Sequence, residues 1–428
     1  MAVYETMKNS NLPWIGVIPS HWEITRIKEL MQNVSEKNHP DATVLSLYRE
    51  YGVLPKDSRD DNHNVTSLDT ASYKFVRIGE LVINKMKAWQ GSFGVSEYEG
   101  IVSPAYYVCR FTSDKINAKY FHYLIRCKAY VQEFERLSTG MRIGQWDLGI
   151  DDFMCTPAII PPVAEQSAIA AYLDDQCAKI DTLISEAKTS IEEYKQWKAS
   201  LIYEAVTKGL DPNVEMKDSG VEWIGKIPTR WTIGKIKHFA ELMPKCDFSA
   251  LDSDDEITFT PMDCIKNGYF ENQKELYKDI NGSYTQYAEG DIVLAKVTPC
   301  FENGNAAIMK NLHSGLGLGS SELFVLRTHD IIREFLFLFI RNPQFIQAGC
   351  ATMTGTGGLK RVSSNFIKNC PITIPDTFEE QTEIVNYINK QFKNIDLIIS
   401  EKQAVIVELE NYKKSLIFET VTGKRKVV

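Results

Sequence analysis

The sequence lacks the cysteine pairs and the long apolar runs that would each indicate a particular class of protein. Its nine cysteines are scattered, and no two have C-x-x-C spacing. This argues against a zinc ribbon and against a secreted disulfide framework, and favours reduced thiols in a cytoplasmic protein. The most apolar run, "IIREFLFLFIRN" at 331–342, contains Arg333 and Glu334 and is too short to cross a bilayer. We therefore expect a buried helix there and no membrane partner.

Catalytic signatures are also missing. The nearest approach to the D/N-P-P-Y/F turn of an adenine methyltransferase is "TPCF" at 298–301, which lacks the first residue type and the second proline. The glycine-rich "TGTGGLKR" does not have the spacing of a phosphate-binding loop, and the seven histidines form no H-E-x-x-H motif. We predict a chain that is not an enzyme and holds no cofactor or metal.

The charge balance sets a limit on nucleic-acid binding. The chain has 48 basic and 56 acidic side chains, for a net charge of −8. Binding to the phosphate backbone needs lysine and arginine on the contacting face. Any DNA-binding surface must therefore be a local basic patch, balanced by acidic residues elsewhere.

The chain repeats itself. "LPWIGVIPSHWEITRIK" at 12–28 returns as "VEWIGKIPTRWTIGKIK" at 221–237, with an offset of 209 positions between Trp14 and Trp223. A second pair, 165–209 and 380–424, aligns with an offset of 215 positions. Because 428 residues suit two or more domains, we predict that a whole structural unit is duplicated.

The second repeated segment predicts a long helix in each copy. Neither copy contains a proline or an internal glycine before Gly209 or Gly423, where a helix would end. Steps of three and then four residues from Leu173 and from Ile388 meet mostly apolar side chains. This is the pattern of a coiled coil, and about 44 residues would span roughly 65 Å. The alternative is two unrelated amphipathic helices, each packed on its own domain.

The segments between these motifs have a different character. Residues 29–157 and 238–371 contain short β-prone runs, each followed by a helical stretch, at 117–137 and 331–350. The two segments match in the order of elements but hardly in residues. We predict an α+β protein with four parts: a first domain at 1–157, a helix at 158–209, a second domain at 210–371 and a distal helix at 372–428. The two helices would pair as an antiparallel coiled coil, with internal pseudo-two-fold symmetry.

These motifs together resemble the specificity subunits of type I restriction-modification systems. The resemblance rests on the doubled W-I-G-x-I-P-x-x-W motif, the segments "IIPPVAEQ" and "TIPDTFEEQ" before the helices, and the helix ends "SLIYEAVTKGL" and "SLIFETVTGK". It implies two target-recognition domains that each read one part of a split duplex DNA site. It implies long helices that act as a spacer and dock two methyltransferase subunits. It also implies restriction-translocase subunits in the full complex, with S-adenosylmethionine on the methyltransferase and ATP and Mg on the restriction subunit.

Two loops in each domain carry candidate DNA-contacting residues, since they combine cations, amides and a stacking ring with glycines. In the first domain they are "INKMKAWQGSFG" and "STGMRIGQW", and in the second "AKVTPCFENGNAA" and "MTGTGGLKRVSS". For each single residue, a solvated loop position is an equally good interpretation. The candidates are Lys85, Lys87, Trp89, Gln90, Ser92, Gly140, Arg142 and Gln145, then Lys296, Thr298, Asn303, Asn305, Gly355, Lys360 and Arg361.

The repeated helix starts supply candidate contacts for partner subunits, at Gln166, Tyr172, Gln381 and Tyr387. The repeated tryptophans are expected to pack each domain against the helices, and the C-terminal "GKRKVV" to be a solvated tail. A coiled-coil scaffold that binds only protein is the competing hypothesis. It differs from DNA recognition in predicting equal binding to specific and scrambled duplexes.

Overall fold

A computed structural model gives the fold and describes residues 3–49, 51–58, 70–142, 145–280, 282–356 and 358–427. The chain divides into two compact units. Unit 1 consists of Met1–Ala187 and Gln403–Val428, and unit 2 is Lys188–Lys402. Each unit has mixed α and β structure, which confirms the predicted fold class.

Among its described residues, unit 1 contains fourteen short strands and three short helices, followed by the start of a long fourth helix. The strands are β1 Met7–Asn9, β2 Val17–Pro19, β3 Glu23–Arg26, β4 Met31–Val34, β5 Leu45–Tyr48, β6 Gly52–Pro55, β7 Lys74–Val76, β8 Leu81–Asn84, β9 Phe93–Val95, β10 Gly100–Val102, β11 Tyr106–Phe111, β12 Thr139–Arg142, β13 Gln145–Asp147 and β14 Pro157–Ile160. The helices are α1 Ala118–Arg126, α2 Lys128–Leu137, α3 Ile150–Cys155 and α4 Val163–Lys208.

Unit 2 repeats this series of elements. The strands are β15 Met216–Asp218, β16 Lys226–Pro228, β17 Thr232–Lys235, β18 Ala240–Leu242, β19 Glu256–Thr260, β20 Gln273–Leu276, β21 Thr285–Ala288, β22 Ile292–Ala295, β23 Ala306–Ile308, β24 Leu316–Gly319, β25 Leu323–Thr328, β26 Thr354–Thr356, β27 Leu359–Arg361 and β28 Pro371–Ile374. The helices are α5 Arg333–Ile340, α6 Pro343–Ala351, α7 Ser364–Asn369 and α8 Phe378–Val421.

Both units are built around one antiparallel four-stranded sheet with the same strand order. The order is β4-β11-β8-β9 in unit 1 and β18-β25-β22-β23 in unit 2. The flanking pairs also correspond, since β3 pairs with β14 as β17 pairs with β28. Unit 2 adds a second sheet, β20-β19-β24-β21, whose β19–β24 pair is parallel. The backbone is therefore duplicated even where the residues differ.

The apolar stretch at 331–342 is a buried helix in unit 2, as predicted. Side chains from Phe335 to Ile340 in α5 are all buried. They join one core with Trp231, the second half of α4 and the first turns of α8. None of the helices among the described residues is long and apolar enough to cross a membrane.

The two long helices contact one another within each unit. In unit 1, Lys413 Nζ lies 2.6 Å from a carboxylate oxygen of Asp181. In unit 2, Lys198 Nζ lies 2.8 Å from Asp396, and the Lys402 ammonium lies 5.9 Å from the centre of the Tyr194 ring. Residue numbers rise along α4 as they fall along α8, so the pairing is antiparallel in both units. Each helix begins in one unit and ends in the other.

The predicted helical seam is correct at alternate positions, such as the buried Ile180 and Ile395, but one residue too early at the positions between them. Leu183 and Trp197 on α4, and Val405 and Tyr412 on α8, are about half exposed. Steps of four and then three from Leu173 reach the buried Cys177, Ile180 and Ile184 instead. The reason is chemical. The periodic pattern placed Lys198 and Lys413 outside the seam. Both lysines are instead largely buried in it, and each forms an ion pair with an aspartate of the opposite helix.

The C-terminal segment is not the solvated tail expected from its charge. Lys424 Nζ donates to the backbone oxygen of Ile15 at 2.9 Å, and Arg425 pairs with Glu419 at 3.0 Å. Burial lowers the pKa of Lys424. Gly423, which has a positive φ of 71°, lies against Pro19 and Trp22. The tail therefore packs on the first repeated motif of unit 1.

Candidate nucleic-acid interface

In unit 1 the two candidate loops form one surface. Strand β8 ends at Asn84, and a short 3-10 helix, Lys85–Gln90, follows. Lys85 Nζ lies 2.9 Å from a carboxylate oxygen of Asp147 in the β12–β13 hairpin, and the Leu148 N–H donates to the Lys85 carbonyl at 3.0 Å. The hairpin is thus held against the segment that follows β8.

An aromatic pair covers this junction. The rings of Trp89 and Trp146 meet edge to face with centroids 5.1 Å apart. The Trp89 indole N–H donates to the Met86 carbonyl at 3.1 Å, and both rings remain partly exposed. Trp146 ends one of the candidate loops but was not named as a candidate, and Asp147 lies just beyond that loop. Their position directly after the candidate Gln145 was the only signal available.

The remaining candidates of unit 1 differ in accessibility. Lys87 and Gly140 are exposed and Gln90 is partly exposed. Ser92 is only 2% exposed, so its side chain is buried beneath this surface. Arg142 and Gln145 pair across the hairpin through their backbones, but their side chains lie outside the part of the chain that the structure describes.

Unit 2 has the corresponding surface with different residues. The segment after β22 lies beside the β26–β27 hairpin, because Val297 bridges to Arg361 and the Thr298 N–H donates to the Lys360 carbonyl at 2.9 Å. The Thr298 hydroxyl accepts from the Lys360 N–H and donates to the Gly358 carbonyl, both at 3.0 Å. Thr298 therefore fixes the hairpin by both hydrogen-bonding functions of its hydroxyl.

One ion pair dominates the electrostatics of this second surface. Arg361 donates through Nε and Nη2 to the two carboxylate oxygens of Glu322, at 2.9 and 2.7 Å. The guanidinium lowers the pKa of the Glu322 carboxyl, and Lys296 contributes to the same effect. Arg361 and Lys296 thus both act on this single carboxylate, and Lys360 is exposed on the same hairpin. Cations outnumber acidic side chains among these four residues. Glu322 was not a candidate, because it lies directly before β25 and belongs to no recognisable motif.

The two asparagines of the second loop lie at its turn. Asn303 is exposed and its carbonyl accepts from Asn267 Nδ2 at 3.0 Å. Asn305 is partly buried and its N–H donates to the Cys300 carbonyl. No hydrogen bond joins either of them to the hairpin among the residues described. Gly355 is exposed in β26.

The glutamines predicted to contact a partner subunit are used inside their own units. Gln166 is fully buried, accepts from the Asn117 N–H at 2.7 Å and donates to the carbonyls of Lys115 and Pro161. Gln381 is 3% exposed and accepts from the Ile332 N–H at 2.8 Å. Each one holds the start of a long helix to the start of α1 or α5, so neither side chain is accessible.

The two predicted tyrosines differ from one another. Tyr172 is partly buried and hydrogen-bonded to Arg425. Tyr387 is 39% exposed and remains a candidate for partner contact.

Potential metal ligands and thiols are spread over the described residues. Among the described residues no group of three or more histidine, cysteine or acidic side chains could hold a metal ion. The described cysteines are all free thiols, and burial raises the pKa of Cys109 and Cys370 to about 12. A neutral, buried thiol is a poor nucleophile.

Comparison with known proteins identifies the family. The profile described as "Type I restriction modification DNA specificity domain" matches residues 19–193 and 228–408. The EcoAI specificity subunit of Escherichia coli is 37% identical over 195 residues, which are 44% of this chain and only 32% of that relative. This chain thus spans about a third of that protein.

Other matches run along the whole chain. The MjaVIII specificity subunit of Methanocaldococcus jannaschii is 24% identical over 425 residues, covering 96% of this chain and 94% of the relative. A chain solved in a study of complex assembly and conformational transition of the type I R-M system has a TM-score of 0.69 at 12% identity, and the match covers 94% of this chain and 98% of that one. At this identity the structural likeness establishes the fold alone.

Proposed function

The chain belongs to the type I restriction modification DNA specificity family, and we propose that it is the subunit that recognises DNA sequence in such a complex. Each unit reads one part of a split duplex site through the loop and hairpin described above. The observation that carries this proposal is the recurrence of one backbone surface with different side chains. In unit 1, Lys85 and Trp89 lie beside the β12–β13 hairpin, and in unit 2 the segment after β22 lies beside Arg361 of the β26–β27 hairpin. Two similar backbone surfaces that carry different side chains suit a DNA site whose two halves differ in sequence.

The long helices provide the second part of the proposal. Each helix passes from one unit into the other and pairs with the other helix in antiparallel fashion. We propose that this pair determines the number of base pairs between the half-sites and offers a docking surface to two methyltransferase subunits, with Tyr387 as a contact. Insertion of one heptad into each helix adds about 10 Å of helix and should lengthen the gap by about three base pairs.

We propose that this subunit is not itself catalytic and works in the cytoplasm. S-adenosylmethionine belongs to the methyltransferase partners, and ATP and Mg to restriction-translocase subunits. Incubation of the pure chain with labelled S-adenosylmethionine and DNA should give no methylation. Label transfer by the chain alone would contradict this assignment.

One experiment separates DNA recognition from a scaffold. The chain is assembled with its methyltransferase subunits, and the target sequence is obtained by methylation mapping of the host genome. Binding to that duplex and to a scrambled duplex is then compared as a function of salt. We expect the specific duplex to bind at least about a thousandfold more tightly, with affinity falling steeply as salt rises. Equal binding to both duplexes would favour the scaffold.

A further inference from the structure

The arginine of the second hairpin is held in a geometry that leaves one edge of its guanidinium free. Arg361 uses Nε and Nη2 to bind Glu322. A guanidinium has five N–H donors in a rigid plane, so this side-on pairing leaves both N–H groups of Nη1 and one of Nη2. Among the described residues, no protein acceptor lies on Nη1. The free edge therefore presents a fork of two parallel N–H donors, one on Nη1 and one on Nη2.

The backbone of the glutamate that orients this fork is itself held in place. The Glu322 N–H donates to the Ser320 hydroxyl at 3.2 Å, and its carbonyl accepts from the Lys296 N–H at 3.0 Å. The Glu322 side chain is 28% exposed and the Arg361 side chain 47% exposed. As an isolated surface ion pair this contact would stabilise the fold only slightly. Its effect on the arginine is larger, because it restricts a long flexible side chain to one direction.

The hairpin that carries Arg361 is a short two-stranded element on the surface of unit 2. Strands β26 and β27 form an antiparallel pair from Thr354 to Arg361, and their described side chains are exposed. The major groove admits a two-stranded ribbon. Lys360, the preceding residue of the same strand, is exposed and supplies a cation for a phosphate, while Thr298 holds β27 and the turn before it.

We propose that Arg361, oriented by Glu322, reads one guanine in the major groove of the half-site bound by unit 2. Guanine presents O6 and N7 as two adjacent acceptors, and the free fork of a guanidinium matches them with two hydrogen bonds. Glu322 acts as a positioning residue and does not touch DNA. Lysine cannot replace the arginine, since an ammonium group presents no planar fork. This inference rests on the proposed function and assigns the base and the reader within it.

The test uses the complex of the chain with its methyltransferase subunits on the mapped duplex. Each guanine is replaced in turn by 7-deazaguanine, which pairs normally but lacks the N7 acceptor, and affinity is measured by fluorescence anisotropy at fixed salt. For the wild-type chain we expect one position, confined to a single half-site, where replacement weakens binding about tenfold. In R361K the natural duplex should bind about tenfold more weakly, and the replacement at that position should have no further effect.

Two other variants complete the design. E322Q keeps the arginine but loses the ionic clamp, so its discrimination at the same guanine should fall between those of the wild type and R361K. R136K is the matched control, because Arg136 and Glu133 form a pair with the same atoms and the same distances, 2.9 and 2.7 Å, on α2 of unit 1. It should leave discrimination at that guanine unchanged. Thermal unfolding of each variant verifies that the fold is kept.

The outcomes separate the two proposals. If the complex prefers its site over scrambled DNA but R361K and wild type respond alike at every guanine, the guanine assignment is wrong and the proposed function stands. A unit-2 half-site without guanine would likewise contradict the guanine assignment alone. Equal binding of specific and scrambled duplexes would overturn the proposed function, and the guanine assignment with it.

Discussion

The indole N–H of Trp231 donates to a carboxylate oxygen of Glu380 at 3.1 Å. Trp22 and Glu165 make the same bond at the same distance in unit 1. Both tryptophans are fully buried, and both glutamates lie in the first turn of a long helix. The repeated W-I-G-x-I-P-x-x-W and E-Q motifs, which are far apart in sequence, therefore form one joint between the first part of each unit and its long helix.

Removal of the acceptor at this joint should destabilise unit 2. In E380A the buried indole N–H loses its partner, and Arg230 loses its ion pair of 2.7 Å. We expect the free energy of unfolding to fall by about 1–3 kcal/mol, measured by urea denaturation. E380Q, which keeps an oxygen acceptor, should lose less. The neighbouring exposed Glu379 is the control, and an E379A loss as large as that of E380A would refute this role.

This joint shows what the sequence could and could not predict. The repeats located both halves of the joint and both long helices, because tryptophan, proline and heptad patterns report local packing directly. Trp22 and Trp231 were expected to pack domain against helix, and this is confirmed. The hydrogen bonds from Glu165 and Glu380 could not be derived, since they join residues 143 and 149 positions apart and depend on the tertiary fold.

The candidate interface was predictable only as loops. Glycine, lysine and polar residues after a strand indicated both loops of each unit, and the structure brings the two loops together. The accessibility and contacts of individual residues were predicted less well. Ser92 is buried, and Glu322 and Trp146 were not named as candidates, because accessibility and ion pairing depend on neighbours that are distant in sequence. The predicted helical seam was wrong at alternate positions for a related reason. A hydrophobicity pattern does not indicate that a lysine can lie in the seam opposite an aspartate.

Substitution of Gly423 should test the docking of the C-terminal segment. Gly423 has φ of 71°, and an added Cβ would lie 2.2 Å from Cδ of Pro19. G423A should therefore lower the free energy of unfolding of unit 1 by more than the roughly 1 kcal/mol that a left-handed backbone alone costs. Gly220 is the control, since its φ of 72° is nearly the same and its Cβ would meet no atom within 4 Å. Equal losses for G220A and G423A in urea denaturation would mean that the contact with Pro19 contributes nothing.

Removal of a hairpin lysine should weaken DNA binding without changing its specificity. Lys360 is exposed beside the Arg361 ion pair and is proposed to meet a phosphate. K360A should lower affinity similarly for all sequences and reduce the slope of log K against log salt by about one. Lys274 serves as the control, because it is already paired with Glu256 at 2.8 Å, and K274A should leave the slope unchanged. A K360A variant with an unaltered slope would show that Lys360 does not contact phosphate.

The salt bridges of the long helices predict that half of the chain can dimerise. Asp181 pairs with Lys413 in unit 1, and Lys198 pairs with Asp396 in unit 2. With the repeat offset of 215 positions, Lys198 corresponds to Lys413 and Asp181 to Asp396. In a chain ending near residue 215, Lys198 of a second copy can therefore take the place of Lys413, and the apolar seam is retained. Light scattering should show the molar mass of a dimer at micromolar concentration. D181K puts like charges together at both ends of the pairing and should raise the dissociation constant about tenfold or more, while D181K/K198D should restore it. A fragment that stays monomeric, or a double variant that dimerises no better than D181K, would show that the two helix pairings are not interchangeable.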